Sequence, residues 1–125
     1  MKGGLPLDMP PPAPAGEAQP DPYEAFIVPA TFGETVLMLE LVLRTGDRVG
    51  LAYPWLGQAT YRPPVIKLTF TSGIGVTIRG RNLGPLYAAL LRHQVVSVFE
   101  ADAPTAALVP ESLPLVERIQ VEANW

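Results

Sequence analysis

The stretch Val65-Ile66-Lys67-Leu68-Thr69-Phe70-Thr71-Ser72-Gly73-Ile74-Gly75-Val76-Thr77-Ile78-Arg79-Gly80-Arg81-Asn82 reads as a strand, a turn, a second strand and the approach to a helix. Ile66, Leu68 and Phe70 alternate with Lys67, Thr69 and Thr71, and Ile74, Val76 and Ile78 alternate with Gly75, Thr77 and Arg79. Successive strand side chains point to opposite faces, so this period of two predicts a hairpin with one apolar and one polar face. Ser72-Gly73 supplies its turn. Downstream, Asn82 is the expected N-cap of a helix whose first turn tolerates Pro85. Leu83, Leu86, Tyr87, Leu90 and Leu91 fall at helical spacing as one apolar stripe, with Ala88, Ala89 and Arg92 on the other side. Arg92 and His93 close the last turn, where positive charge suits the helix dipole and a histidine is expected to cap.

Working outward, Val36 to Leu43 is apolar on both faces apart from Glu40, the pattern of a strand buried on two sides. Thr45-Gly46-Asp47 turns the chain into the alternating Arg48 to Tyr53, a further hairpin. Pro54 to Pro64 reads as a loop, and Tyr23, Phe26, Ile27 and Val28 as an apolar patch that anchors the N-terminal side. Beyond the helix, Val95 to Glu100 is a fifth strand, Ala103 to Pro114 a loop, and Val116 to Glu122 a sixth, edge strand. The expected fold is therefore α+β: an antiparallel sheet or small open barrel of five to six strands with one packed helix, in the order ββββαβ(β). Residues 1–22 hold seven of the fifteen prolines. Proline removes backbone donors and biases its predecessor to extended conformations, so this segment is expected to be a flexible arm and 23–125 a single α+β domain.

Composition excludes several chemistries. The chain has no Cys and one His, which removes disulfides, thiolate zinc sites, cysteine nucleophiles and two-His metal sites. The glycines at 73, 75 and 80 do not form a phosphate-binding loop, because Val76 to Ile78 is a strand and no Gly-Lys-Ser/Thr follows. No serine lies in a Gly-x-Ser-x-Gly elbow to join His93. The carboxylate groupings Glu100 with Asp102, and Glu117 with Glu122, lack calcium-loop spacing and are expected to be solvated. Neither an enzyme nor a cofactor or metal site is expected. The first residues never develop the apolar run of a signal peptide. The longest apolar stretch is far short of the about 20 residues that a membrane helix needs. A soluble, cytoplasmic protein with no membrane partner is the expectation.

Charge is the informative feature. Seven of the nine Lys and Arg residues fall between Arg44 and Arg92, interrupted only by Asp47, while both flanks are acidic and the net charge is −3. A basic centre points to an anion-binding surface, or to acidic flanks folded back over it. Arg79 and Arg81 share a polar face as their strand ends and Asn82 begins the helix. Arg79, Gly80, Arg81 and Asn82, with Arg48 and Lys67, are therefore the candidate anion or nucleic-acid surface. The competing and favoured reading has Arg79 and Arg81 solvated and paired with flanking acids, each pair contributing about 0–1 kcal/mol.

Ile78-Arg79-Gly80-Arg81-Asn82-Leu83 resembles the second signature of Sm-like RNA-binding proteins, and Leu39-x-Leu41-x-Leu43 before Thr45-Gly46 and Gly50 is similar to the first. The resemblance implies that Arg79 and Gly80 help to form a base pocket in a ring of subunits. That family's Asp-x-x-Met-Asn segment has no counterpart among Pro54 to Pro64. The run from Gly80 to His93 also resembles small bacterial proteins of no assigned function. The function expected from these observations is a non-enzymatic binding or assembly module, with RNA or phosphate binding by the basic centre as the alternative. Self-association as a homodimer is also expected. A small sheet with one helix leaves one face of Val36 to Leu43 uncovered, and an acidic tail could dock on a second subunit's basic centre.

Overall fold

The computed structural model describes residues 23–31 and 33–123. The proline-rich segment 1–22 lies outside the described residues. Eight strands and two short helices follow the order β1 (Phe26–Ile27), β2 (Met38–Val42), β3 (Arg48–Ala52), a 3-10 turn (Tyr53–Trp55), β4 (Leu56–Arg62), β5 (Val65–Phe70), β6 (Ile74–Arg81), α1 (Gly84–Leu91), β7 (Ser97–Phe99), α2 (Ala103–Leu108) and β8 (Leu115–Ala123). They form two four-stranded sheets, β1-β7-β2-β3 and β4-β5-β6-β8. All neighbours are antiparallel except β2 and β7.

This corrects the expected single sheet of five to six strands with one helix. The decisive difference is Leu56–Arg62, expected as a loop but extended as the edge strand of the second sheet. Gly57 and Gln58, with a register shift between Leu56 and Gln58, break the alternation there, and flanking prolines complete the appearance of a loop. From Ala59 onward the period of two returns, with Ala59 and Tyr61 packed against the core and Thr60 and Arg62 exposed. The expected loop after β7 also contains α2, whose first turn is capped by Asp102 accepting from the Thr105 amide at 2.8 Å. That bond holds the Asp102 carboxyl below its usual range.

One core fills the space between the sheets. Leu39, Leu41 and Leu51 come from the first sheet, Ile66, Leu68, Phe70, Val76, Ile78 and Ile119 from the second, and Leu83, Leu86, Ala89 and Leu90 from α1 and its approach. The second sheet covers only one face of β2, which corrects the expected burial on two sides: Leu39 and Leu41 point inward and are fully buried, while Met38, Glu40 and Val42 take the alternate, outward positions and Met38 is 51% exposed. Leu86 and Leu90 are fully buried, but the helix face is narrower than the sequence pattern: Leu91 is 55% exposed and Ala89 is buried.

Helix α1 is bounded differently from expectation at both ends: it stops at Leu91 with Arg92 as its C-cap, so Arg92 and His93 lie beyond the last turn, and the His93 side chain is not the cap. Leu83 is its N-cap and offers no side-chain bond. Asn82 instead adopts a left-handed conformation, φ 55°, and its amide donates to the carbonyls of Glu111 at 2.6 Å and Leu113 at 3.1 Å. At the other end His93 is also left-handed, φ 56°. The Gln94 amide donates to the Ala89 carbonyl and the His93 amide to Leu90, both at 3.0 Å, a Schellman arrangement that satisfies the last carbonyls. The His93 ring stacks on Tyr53, centroids 4.7 Å apart. The Tyr53 hydroxyl is held by the Val95 carbonyl at 2.7 Å.

Two polar groups tie the sheets together. The Tyr23 hydroxyl donates to the Phe99 carbonyl at 2.6 Å and accepts from the Val116 amide at 3.0 Å, joining β7 to β8. Burial pushes its pKa up to about 12. Glu100, expected to be solvated, has a side chain only 6% exposed. It accepts from the Arg44 and Ile119 amides, both at 2.9 Å, with the Arg44 guanidinium at 3.7 Å. A buried carboxylate with amide donors on both oxygens is a structural joint between the β2–β3 turn and β8.

Candidate anion-binding groove

The second sheet places four short segments side by side in register: Thr60-Tyr61-Arg62 on β4, Val65-Ile66-Lys67 on β5, Thr77-Ile78-Arg79 on β6 and Arg118-Ile119-Gln120 on β8. The middle residues Tyr61, Ile66, Ile78 and Ile119 form one cross-sheet row that packs against the core. Alternation then forces both neighbours of each onto the outer face. Two outward rows result. One is Arg62, Val65, Arg79 and Arg118; the other is Thr60, Lys67, Thr77 and Gln120.

These eight residues line a groove of about 460 Å³. Four of them are cationic, three carry a hydroxyl or amide, and none is acidic. Arg62, Lys67, Arg79 and Arg118 are all exposed. The two ion pairs found among the described residues, Arg44–Glu100 and Arg48–Glu40, lie elsewhere. The nearest acids along the ladder are Glu117, at the register shift between β6 and β8, and Glu122, one row beyond Gln120 and paired with Gly75.

Arg79 and Arg118 are direct cross-strand partners. Opposed side chains of an antiparallel pair stand about 4.5–5.5 Å apart at Cβ, and like charges there destabilise the sheet. Lys67 sits diagonally between Arg62 and Arg79, so the face concentrates repulsion that a bound anion relieves. Guanidinium groups in such a pair present planar donor forks that match phosphate or carboxylate oxygens. The Thr77 hydroxyl and Gln120 amide, in the adjoining row, add neutral donors.

The structure brings together two of the six residues singled out by sequence, Lys67 and Arg79. The other four have different employment. Arg48 is on β3 in the other sheet, where its guanidinium donates to both carboxylate oxygens of Glu40 at 3.0 and 2.9 Å. That fork holds the Glu40 carboxyl below its usual range. Gly80 is buried against β8, and a Cβ built there collides with the Leu115 carbonyl oxygen. Arg81 donates to the carbonyls of Val109 at 2.7 Å and Pro110 at 3.3 Å, capping the end of α2, while its buried Nε has no partner among the described residues. Asn82 is committed to the Glu111 and Leu113 carbonyls.

Arg62 and Arg118 were not among the sequence candidates. Arg62 fell in an apparent loop, and Arg118 is the lone base of an acidic flank. A signal for both is present: Thr-x-Arg occurs at 60–62 and 77–79, and Arg-x-Gln at 118–120, each spanning a large apolar residue. Only the pairing of the strands makes these repeats one surface.

No family model, curated protein or solved structure matches this chain. No helix among the described residues is long and apolar enough to cross a membrane.

Proposed function

We propose that this protein is a non-enzymatic binding module whose ligand is an anion carried on the outer face of the second sheet. The observation that supports this most directly is the Arg79–Arg118 cross-strand pair, flanked by Arg62 and Lys67 in a groove with no acidic lining residue. Repulsion between the paired guanidiniums makes the free protein less stable than it need be, a cost retained where a ligand repays it. The groove's own side chains bind and orient; none is an imidazole, a carboxylate or a thiol that could move a proton.

Tripolyphosphate is a suitable probe, added at constant ionic strength while thermal unfolding is followed. A ligand that binds only the native state stabilises it by about 2.7 kcal/mol at a hundred times its Kd. The wild-type midpoint should rise with tripolyphosphate, and Arg79→Gln and Arg118→Gln should abolish the rise. Equal rises in wild type and both variants contradict this use of the groove.

A second reading, self-association through the first sheet, is favoured by its open edge. The Leu43 amide donates to the Asp47 carbonyl and the Tyr53 amide to Leu37, so the alternate β3 residues Arg48, Gly50 and Ala52 turn their backbone groups away from β2. Those groups have no backbone partner among the described residues. Met38, 51% exposed, stands on the outer face beside this edge. A second copy added antiparallel at β3, with Arg48 opposite Ala52, satisfies those groups and gives a closed two-fold dimer. Light scattering over a range of concentrations tests it: a dimer that Gly50→Pro converts to monomer supports the reading, and a monomer of 13.5 kDa throughout removes it.

A further inference from the structure

Resting on the anion-binding reading above, we infer that the ligand of the groove is a single strand of nucleic acid, held by its phosphates and not read by its bases. Three features of the surface carry this.

The first is layout. The cations are not clustered around one point. Arg62, Arg79 and Arg118 lie on β4, β6 and β8, and three strand-to-strand steps of about 4.8 Å spread them over about 14 Å. Lys67, on β5, stands between Arg62 and Arg79 in the next row. A single phosphoryl group engages the Arg79–Arg118 pair but leaves Arg62 and Lys67 without a partner. A ligand with repeated phosphates along a line uses all four.

The second is the lining between the cations. Thr60, Thr77 and Gln120 are neutral hydrogen-bonding groups, and Val65 is the one apolar side chain. An acidic protein or peptide partner needs an apolar centre with aromatic or aliphatic anchors for stable docking. The groove offers only Val65 and the aliphatic stems of its arginines and lysine for that. Nucleic-acid interfaces are polar and strongly positive, with most of their hydrogen bonds to phosphate and sugar.

The third is what the face omits. No aromatic residue lines it. Tyr61 points to the opposite side, its ring against Tyr87 with centroids 5.4 Å apart. Base stacking is therefore missing, and with it the platform for base recognition. A groove of about 460 Å³ also admits a flexible single strand, whereas a rigid duplex is too wide to enter it.

The test is fluorescence anisotropy with labelled oligo-dT of about 15 nucleotides, titrated between about 50 and 200 mM salt. Four neutralised phosphates give a log–log slope of about −3 for a single strand, an affinity loss of about 50-fold over that salt range. Oligo-dA of the same length should bind within about twofold, and Arg62→Gln, Lys67→Gln, Arg79→Gln and Arg118→Gln should each flatten the slope by about 0.7. Arg92→Gln, at the end of α1, should leave it unchanged. Tighter binding of a duplex of equal length, a strong preference between the two homopolymers, or a slope unmoved by the four variants overturns the inference. Failure of the oligonucleotides while tripolyphosphate or polyglutamate still binds in an Arg79-dependent way defeats the inference but leaves the anion-binding reading standing. Failure of every probe defeats both.

Discussion

Replacing Gly80 with alanine separates a structural role for this residue from a role in ligand recognition. Gly80 sits on β6 opposite Val116, immediately after the register shift between β6 and β8. An added Cβ meets three backbone atoms of β8: the Leu115 carbonyl oxygen, the Leu115 carbonyl carbon at 3.0 Å and the Val116 Cα at 3.1 Å. No rotamer change relieves a clash with backbone, so β8 must move away from β6 where Leu115 and Val116 join the core. Overpacking of this kind costs about 1–3 kcal/mol, and the upper end is expected here because a strand and not a side chain has to yield. Gly75, on the same strand, is the internal control, since a Cβ there meets nothing within 4 Å and alanine should be neutral or stabilise by up to about 1 kcal/mol. Urea denaturation of the wild type and both variants measures the difference, and a drop of about 4–8 °C in Tm per kcal/mol should accompany it. If Gly80→Ala and Gly75→Ala have the same stability, the close approach of β6 and β8 is not a constraint on the fold. If Gly80→Ala keeps full stability but loses ligand binding, Gly80 belongs to the site.

Leu86→Ala and Leu90→Ala should each cost about 2–5 kcal/mol, as expected for fully packed leucines, whereas Leu91→Ala should stay within about 0.5 kcal/mol of wild type in the same denaturation assay. Tyr23→Phe leaves the Val116 amide and the Phe99 carbonyl without their hydroxyl partner and should cost about 1–3 kcal/mol by urea titration. The Tyr23 pKa is raised from 10.0 to about 12, so its contribution is complete below pH 10 and is lost as pH rises through 12; a wild-type alkaline transition that Tyr23→Phe does not alter contradicts this. Arg118→Thr removes the like-charge partner of Arg79 and should raise the stability of the ligand-free protein by about 0.2–1 kcal/mol at low salt, with the gain shrinking as salt is added.

The fold is legible in the sequence where periodicity is uninterrupted. β5, β6 and the two buried leucines of α1 follow directly from alternation and helical spacing, because each residue's environment there is set by its nearest neighbours. β4 was hidden by Gly57, Gln58 and the adjacent prolines, which mimic a loop although the strand carries the groove's Thr60 and Arg62. Asn82 has the residue type of a helix cap, but it stands one residue before the N-cap Leu83 in a left-handed conformation, with its Nδ2 donating to the distant carbonyls of Glu111 and Leu113, which local propensity cannot register. Arg81 is the same case, drawn off by the carbonyls at the end of α2. Glu100 gave no sign of burial, since its partners are the amides of Arg44 and Ile119, distant in sequence. The groove itself was half legible: Lys67 and Arg79 belong to a hairpin that pairs with itself, while Arg62 and Arg118 join them only through the register of β4 and β8.

Chemical-shift mapping of the amide spectrum with tripolyphosphate tests the central claim most directly, because it locates the ligand without assuming a mutation. The largest shifts should fall on residues 60–62, 65–67, 77–79 and 118–120, the four segments that lie side by side across the second sheet. Shifts concentrated at Arg48 and its neighbours in the first sheet, or around Arg81, Asn82 and residues 109–113, would contradict it, as would a spectrum that tripolyphosphate leaves unchanged.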